Sequence, residues 1–183
     1  MIGALIAIIL AFSAPASAQG LDGIFTRYAV RPAQVPRAFT QAVQKKYGCD
    51  VDMMKTGIIG FQMSEDSAIW EVPCERFAYQ ASAIYALVYL PDPAANLTFL
   101  GFQQPKSHPR TSPPGVLLNP QWRAGTRTVT SVALGRGLGD CGVLERHRVD
   151  ATGHFVLVEY REKPTCDGKQ GRPDDWPLVY RTK

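Results

Sequence analysis

Hydrophobic positions along this chain fall into three patterns, and each predicts a different kind of element. The first is an unbroken apolar run from Ile2 to Phe12, followed by Ser13, Pro15 and the small-x-small triplet Ala16-Ser17-Ala18. That run is about half of the roughly 20 residues a bilayer span requires. A short apolar run closed by small residues is the anatomy of a cleaved secretory leader. The pattern predicts a signal peptide over residues 1–18, cut near Ala18, and no permanent membrane span. No Lys or Arg precedes the run, which points to a start codon upstream.

The second pattern is helical. Val35, Phe39 and Val43 share a face with Ala38 and Ala42, which predicts one N-terminal helix over residues 35–47. Pro36 suits its first turn, Lys45 and Lys46 its last, and Gly48 its stop. Asp50 and Asp52 follow without calcium-loop spacing and read as solvated turn residues.

The third pattern is that of strands. Residues 19–33 read as extended. Ile58–Met63 and Ala68–Val72 flank a Ser64–Ser67 turn, and Tyr79–Leu90 forms a long apolar stretch that reads as a central strand, with helix as the alternative over its first part. Leu97–Phe102 is a further strand, and the prolines of residues 103–115 make a surface loop. Val116–Leu118, Thr128–Leu134, Val143–Val149, His154–Arg161 and Trp176–Arg181 complete the set, with Asp150-Ala151-Thr152-Gly153 as a hairpin turn. The expected architecture is α+β: a mostly antiparallel sheet with one N-terminal helix in a single domain over residues 19–183.

Composition narrows the setting. Hydrophobic residues make up 45% and charged residues 20%, which is globular, and the net charge is only +4. The basic residues are scattered rather than clustered, which argues against a nucleic-acid partner. Four cysteines are present, and the interval from Cys49 to Cys74 equals that from Cys141 to Cys166. In an oxidising compartment an even set reads as two disulfides. Of the three pairings, locality and strand geometry favour Cys49–Cys74 and Cys141–Cys166. No close pair of cysteines offers zinc-ligand spacing, and none forms the C-x-x-C of a redox motif.

The second half also carries a resemblance. Gly135-Arg136-Gly137-Leu138-Gly139-Asp140-Cys141-Gly142, then Phe155–Arg161, Pro164-Thr165-Cys166 and Asp175-Trp176-Pro177, resembles the bacterial family known as domain of unknown function eleven seventy-six. Val72-Pro73-Cys74 and Ala78-Tyr79-Gln80 are similar to its first half, so the likeness runs from about Arg37 to Arg181. The resemblance implies a secreted or periplasmic bacterial domain. It brings no assigned activity, so no catalytic residue is carried over.

Read by their chemistry, the motifs are sparse. Gly137–Gly142 formally matches the dinucleotide-binding glycine pattern, but a strand rather than a helix follows, and no cofactor is expected. The loop reads instead as one that delivers Cys141 to its partner, with Arg136 and Asp140 either paired together or gripping an anionic ligand. His147 and His154 lie diagonally on the expected hairpin, with Val149 opposite His154 and His147 opposite Val156, so both read as solvent-facing and no metal is expected. Ser107-His108 suggests a nucleophile and base by adjacency alone. Trp70, Trp122 and Trp176 could form a sugar-stacking set, but at least two of them read as core residues, with Trp176 the best placed for partial exposure. The leading expectation is therefore a non-catalytic binding module for an envelope protein or glycan, periplasmic or secreted, with Arg136, Asp140 and Trp176 as candidate ligand contacts. The alternative is an envelope hydrolase using Asp140 and Glu159 as acid and base.

Overall fold

The structure, a computed structural model, describes residues 25–108 and 114–182. The expected signal peptide and cleavage site lie outside the described residues. Among the described residues no helix is long and apolar enough to cross a membrane.

After strand β1 (Arg27–Ala29), helix α1 runs over Arg37–Tyr47 and buries Phe39 and Val43. It stops where Gly48 takes a left-handed φ of 73° and its N–H bonds the Gln44 carbonyl at 2.8 Å. Only glycine reaches that conformation without a steric penalty. A second helix, α2 (Val51–Gly57), adds to the one expected. Asp50 is not a solvated turn residue but its N-cap, accepting the backbone N–H groups of Asp52 and Met53 at 2.7 and 3.2 Å. Such a cap contributes on the order of 1 kcal/mol, enough to start a seven-residue helix that periodicity does not announce.

Strands β2 (Ile59–Gln62), β3 (Ser67–Arg76), β4 (Ala81–Tyr89) and β5 (Thr98–Phe99) extend β1 into an antiparallel sheet, in which β6 (Val116–Leu118) also pairs with β4. The second sheet is β11-β10-β9-β8-β7, from β7 (Gln121–Arg123), β8 (Thr128–Leu134), β9 (Gly142–Val149), β10 (Phe155–Lys163) and β11 (Leu178–Arg181). Ladder after ladder is antiparallel, so the expected class is the observed one.

The two cores explain the long apolar run of β4. Ala68, Trp70, Val72, Ile84, Ala86 and Val88 pack against Phe39, Val43 and Met54 of the helices. Ile69 and Tyr85 point the other way, onto Val129, Val149 and Phe155 of the second sheet. The first sheet is therefore a middle layer buried on both faces, and such strands lose period-2 alternation. Trp70 meets Phe39 edge-on at 5.0 Å and donates its indole N–H to the Tyr28 hydroxyl at 3.1 Å.

Both expected disulfides are present, Cys49–Cys74 and Cys141–Cys166. The first ties the α1–α2 connection to the end of β3. The second ties the start of β9 to the loop after β10. The β9–β10 hairpin corrects one expectation. Its register pairs Val149 with Phe155 and His147 with Leu157, one residue away from the expected pairing. Because a one-residue slip exchanges faces, His147 is completely buried rather than solvent-facing, with Nε2 at 2.9 Å from the Gln103 carbonyl. His154 is exposed, as expected.

Candidate functional site

The glycine-rich loop between β8 and β9 brings Arg136 and Asp140 together. The Arg136 guanidinium grips both oxygens of Asp140, with Nε donating to Oδ1 at 2.8 Å, and the Gly168 N–H donates to Oδ2 at 2.6 Å. Asp140 is fully buried. Its carboxyl is held far below the ordinary carboxylate range, first by the Arg136 hydrogen bond, against the opposing effect of desolvation, and also by the Gly168 N–H. The pair is thus an internal clamp that joins the glycine loop to the segment carrying Cys166. Asp140, Cys141 and Cys166 also lie close enough to suggest a metal cluster. Both sulfurs are spent in the disulfide, however, and a cysteine binds metal as thiolate.

Trp176 corrects a second expectation. It is 3% exposed rather than partly open, and Arg161 donates to its carbonyl at 2.8 Å. Trp70 is equally buried and Trp122 is half-buried, so no tryptophan platform faces solvent. The same Arg161 reaches Glu159, which also receives Arg146 at 2.9 Å and Arg181 at 3.2 Å. Burial pushes the Glu159 carboxyl up, but the three guanidiniums outweigh it and leave the value low.

Ser107, His108 and Glu162 line up in series. Ser107 Oγ is 2.8 Å from His108 Nδ1, and His108 Nε2 is 2.9 Å from Glu162. Ser107 itself stands exposed in the proline-rich loop.

The feature that sequence reasoning missed lies where β3 turns into β4. The Phe77 N–H bonds the Gln80 carbonyl at 2.7 Å, closing a tight turn. On it Phe77 and Tyr79 stand 47% and 48% exposed. They border a cleft of about 460 Å³ whose walls include Tyr47, Glu75, Val116 and Leu118, with Cys74 among its lining. The turn is held from behind. The Cys49–Cys74 disulfide anchors the strand that leads into the turn. The Gln80 amide clamps the backbone of Leu134 in both directions, at 3.1 and 2.8 Å. Gly137 lies so close to the Tyr79 ring that a Cβ there would come within 3.3 Å of it. The glycine loop, closed by its Arg136–Asp140 clamp, therefore packs against Tyr79. One signal was available in the sequence: Phe77 and Tyr79 sit between charged Arg76 and polar Gln80 at a strand end, where packing does not demand two aromatic rings.

With this geometry in hand, comparison with known proteins places the chain. Over residues 26–183 it matches the family described as protein of unknown function, DUF1176, and it belongs to that family. It is 30% identical over 135 residues to a protein described as uncharacterized protein YpfG, of Escherichia coli strain K12. The match takes in 74% of this chain but 38% of YpfG, so the chain spans well under half the length of that relative. No solved structure matches.

Proposed function

We propose that this member of the DUF1176 family is an exported, non-catalytic binding module that presents the Phe77–Tyr79 cleft to an envelope protein or glycan. The observation that carries the reading is the pair of half-exposed aromatic rings on a hydrogen-bonded, disulfide-anchored turn. Exposed aromatic surface costs solubility and is kept where something binds it. A cleft of this size falls in the range of ligand sites, and rigid walls spare the ordering cost of binding. Export fits the apolar run and small-residue triplet in the sequence of residues 1–18 and the two disulfides, which persist in oxidising compartments. Arg136 and Asp140 serve the site indirectly, by holding the loop that backs Tyr79.

The hydrolase alternative needs a carboxyl group that keeps its proton near neutral pH. Asp140 and Glu159 are both held ionised by arginines, which argues against that role.

The test compares the wild-type protein with a Phe77→Ala/Tyr79→Ala variant in envelope crosslinking, with Tyr180→Ala as control, since Tyr180 is a similarly exposed ring on β11. The expected result is a reproducible adduct lost only from the double variant. The reading fails if the double variant captures as well as wild type. It fails equally if product is released from a glycan panel in a manner abolished by Asp140→Asn.

A further inference from the structure

Resting on the cleft as the binding surface, we infer that its occupant is a saccharide, specifically a neutral hexose or N-acetylhexosamine ring, stacked on Phe77 and Tyr79 and hydrogen-bonded through its hydroxyls to Glu75.

The backbone around the cleft leaves an extended peptide little to pair with. β4 is bonded on both sides at this point, Ala81 and Ala83 opposite Arg76 and Pro73 of β3, and Ser82 and Ala83 opposite Leu118 and Leu117 of β6. The far side of β6 is closed as well. Ser131 Oγ accepts the Leu118 N–H at 3.2 Å and donates to the Leu118 carbonyl at 2.7 Å. The next residue is sealed to β4, since the Asn119 N–H bonds the Ala81 carbonyl at 2.7 Å and the Asn119 side chain accepts the Ala81 N–H at 3.0 Å. Strand addition gains its affinity from main-chain hydrogen bonds, and here those bonds are already made.

The wall chemistry fits a sugar. One face of a pyranose ring is a set of C–H bonds with slight positive charge, and an aromatic face is electron-rich. The ring edge carries hydroxyls that need acceptors. Phe77 and Tyr79 supply the aromatic faces, and the exposed Glu75 carboxylate, which has no ion pair among the described residues, supplies the acceptor. The same carboxylate repels uronic acids and phosphorylated glycans, which selects uncharged rings. The volume of about 460 Å³ accommodates a short stretch of glycan rather than an extended chain.

The experiment is calorimetric titration of the disulfide-bonded protein with three probes: the β-1,4-linked trimer of N-acetylglucosamine, maltotriose, and trigalacturonic acid. At least one neutral trimer is expected to bind and the acidic trimer is not. Phe77→Ala and Tyr79→Ala each weaken binding tenfold or more, Tyr79→Phe retains it, and Tyr180→Ala has no effect. Glu75→Gln weakens the neutral trimer and admits the acidic one. Preference for the acidic trimer overturns the inference, as does binding of no sugar while a peptide library binds through Tyr79. In the peptide case the binding-module reading survives. Sugar binding that is indifferent to both Phe77→Ala and Tyr79→Ala overturns the site as well as its ligand.

Discussion

The two disulfides close loops of the same length, which makes their removal a controlled comparison of chain entropy with packing. Each spans a sequence separation of 25. A loop of that size is worth about 3.5 kcal/mol at 25 °C in the chain-entropy treatment, whichever pair is cut. Burial separates them. Cys49 and Cys74 are both buried residues, as is Cys141, whereas Cys166 is exposed. Replacement by serine leaves a hydroxyl, and one that is buried without a partner costs about 1–3 kcal/mol. The Cys49→Ser/Cys74→Ser variant buries two such groups and Cys141→Ser/Cys166→Ser buries one. The first is therefore expected to lose more than the second by about 1–3 kcal/mol. Against the roughly 5–15 kcal/mol by which domains are stable, the first variant stands close to unfolding. Urea titration followed by far-ultraviolet circular dichroism, without reductant, reads the difference directly. Equal midpoints would refute the contribution of residue burial. A larger loss for the second pair would mean that the loop after β10 contributes more to folding than its exposure implies.

Other expectations follow from the same geometry. Brief treatment with a mild thiol reductant and then alkylation should tag Cys141 and Cys166 before Cys49 and Cys74, because attack requires access; tagging of the buried pair first contradicts the described burial. Asp140→Asn should lower the melting temperature at neutral pH. The Asp140 pKa is depressed in the folded state, so its contribution is complete above the ordinary value of 3.8 and is lost as pH falls toward the folded value. The melting-temperature gap between wild type and Asp140→Asn should accordingly narrow below about pH 4, and a gap that widens there would reverse the assigned sign. A fluorophosphonate should leave Ser107 unmodified; labelling that disappears in His108→Ala would reveal a working nucleophile and contradict the non-catalytic reading.

The layers were readable because burial patterns write themselves into sequence. Phe39 and Val43 recur at helical spacing, and β4 reads as a strand because its apolar run is rich in Tyr, Ile and Val. What that run could not convey is that two different cores claim its two faces, since a strand buried on both sides has no polar phase from which to read direction. Helix α2 escaped because its apolar face is carried by Met54 alone among fully buried residues and its start depends on one Asp50 side chain. His147 departs from the expected face because the hairpin register is shifted by one residue beside the turn. The site divides in the same way. Arg136 and Asp140 stand four apart in a glycine-rich loop, and their pairing was legible. That their loop abuts Tyr79 was not, because Gly137 meets that ring from the other sheet, a contact between residues far apart in the chain. Trp176 was misjudged because acidic neighbours suggest solvent, whereas those acids turn outward toward Arg146 and Arg172 and leave the ring beneath.

The most direct test is to place a benzophenone photocrosslinker at position 79 and, separately, at position 180, and to irradiate cells that export each protein with its disulfides formed. A discrete adduct from position 79, absent from position 180, is the predicted result. An adduct from position 180 alone, or none from position 79 in a correctly folded protein, would contradict the cleft as the surface that meets a ligand.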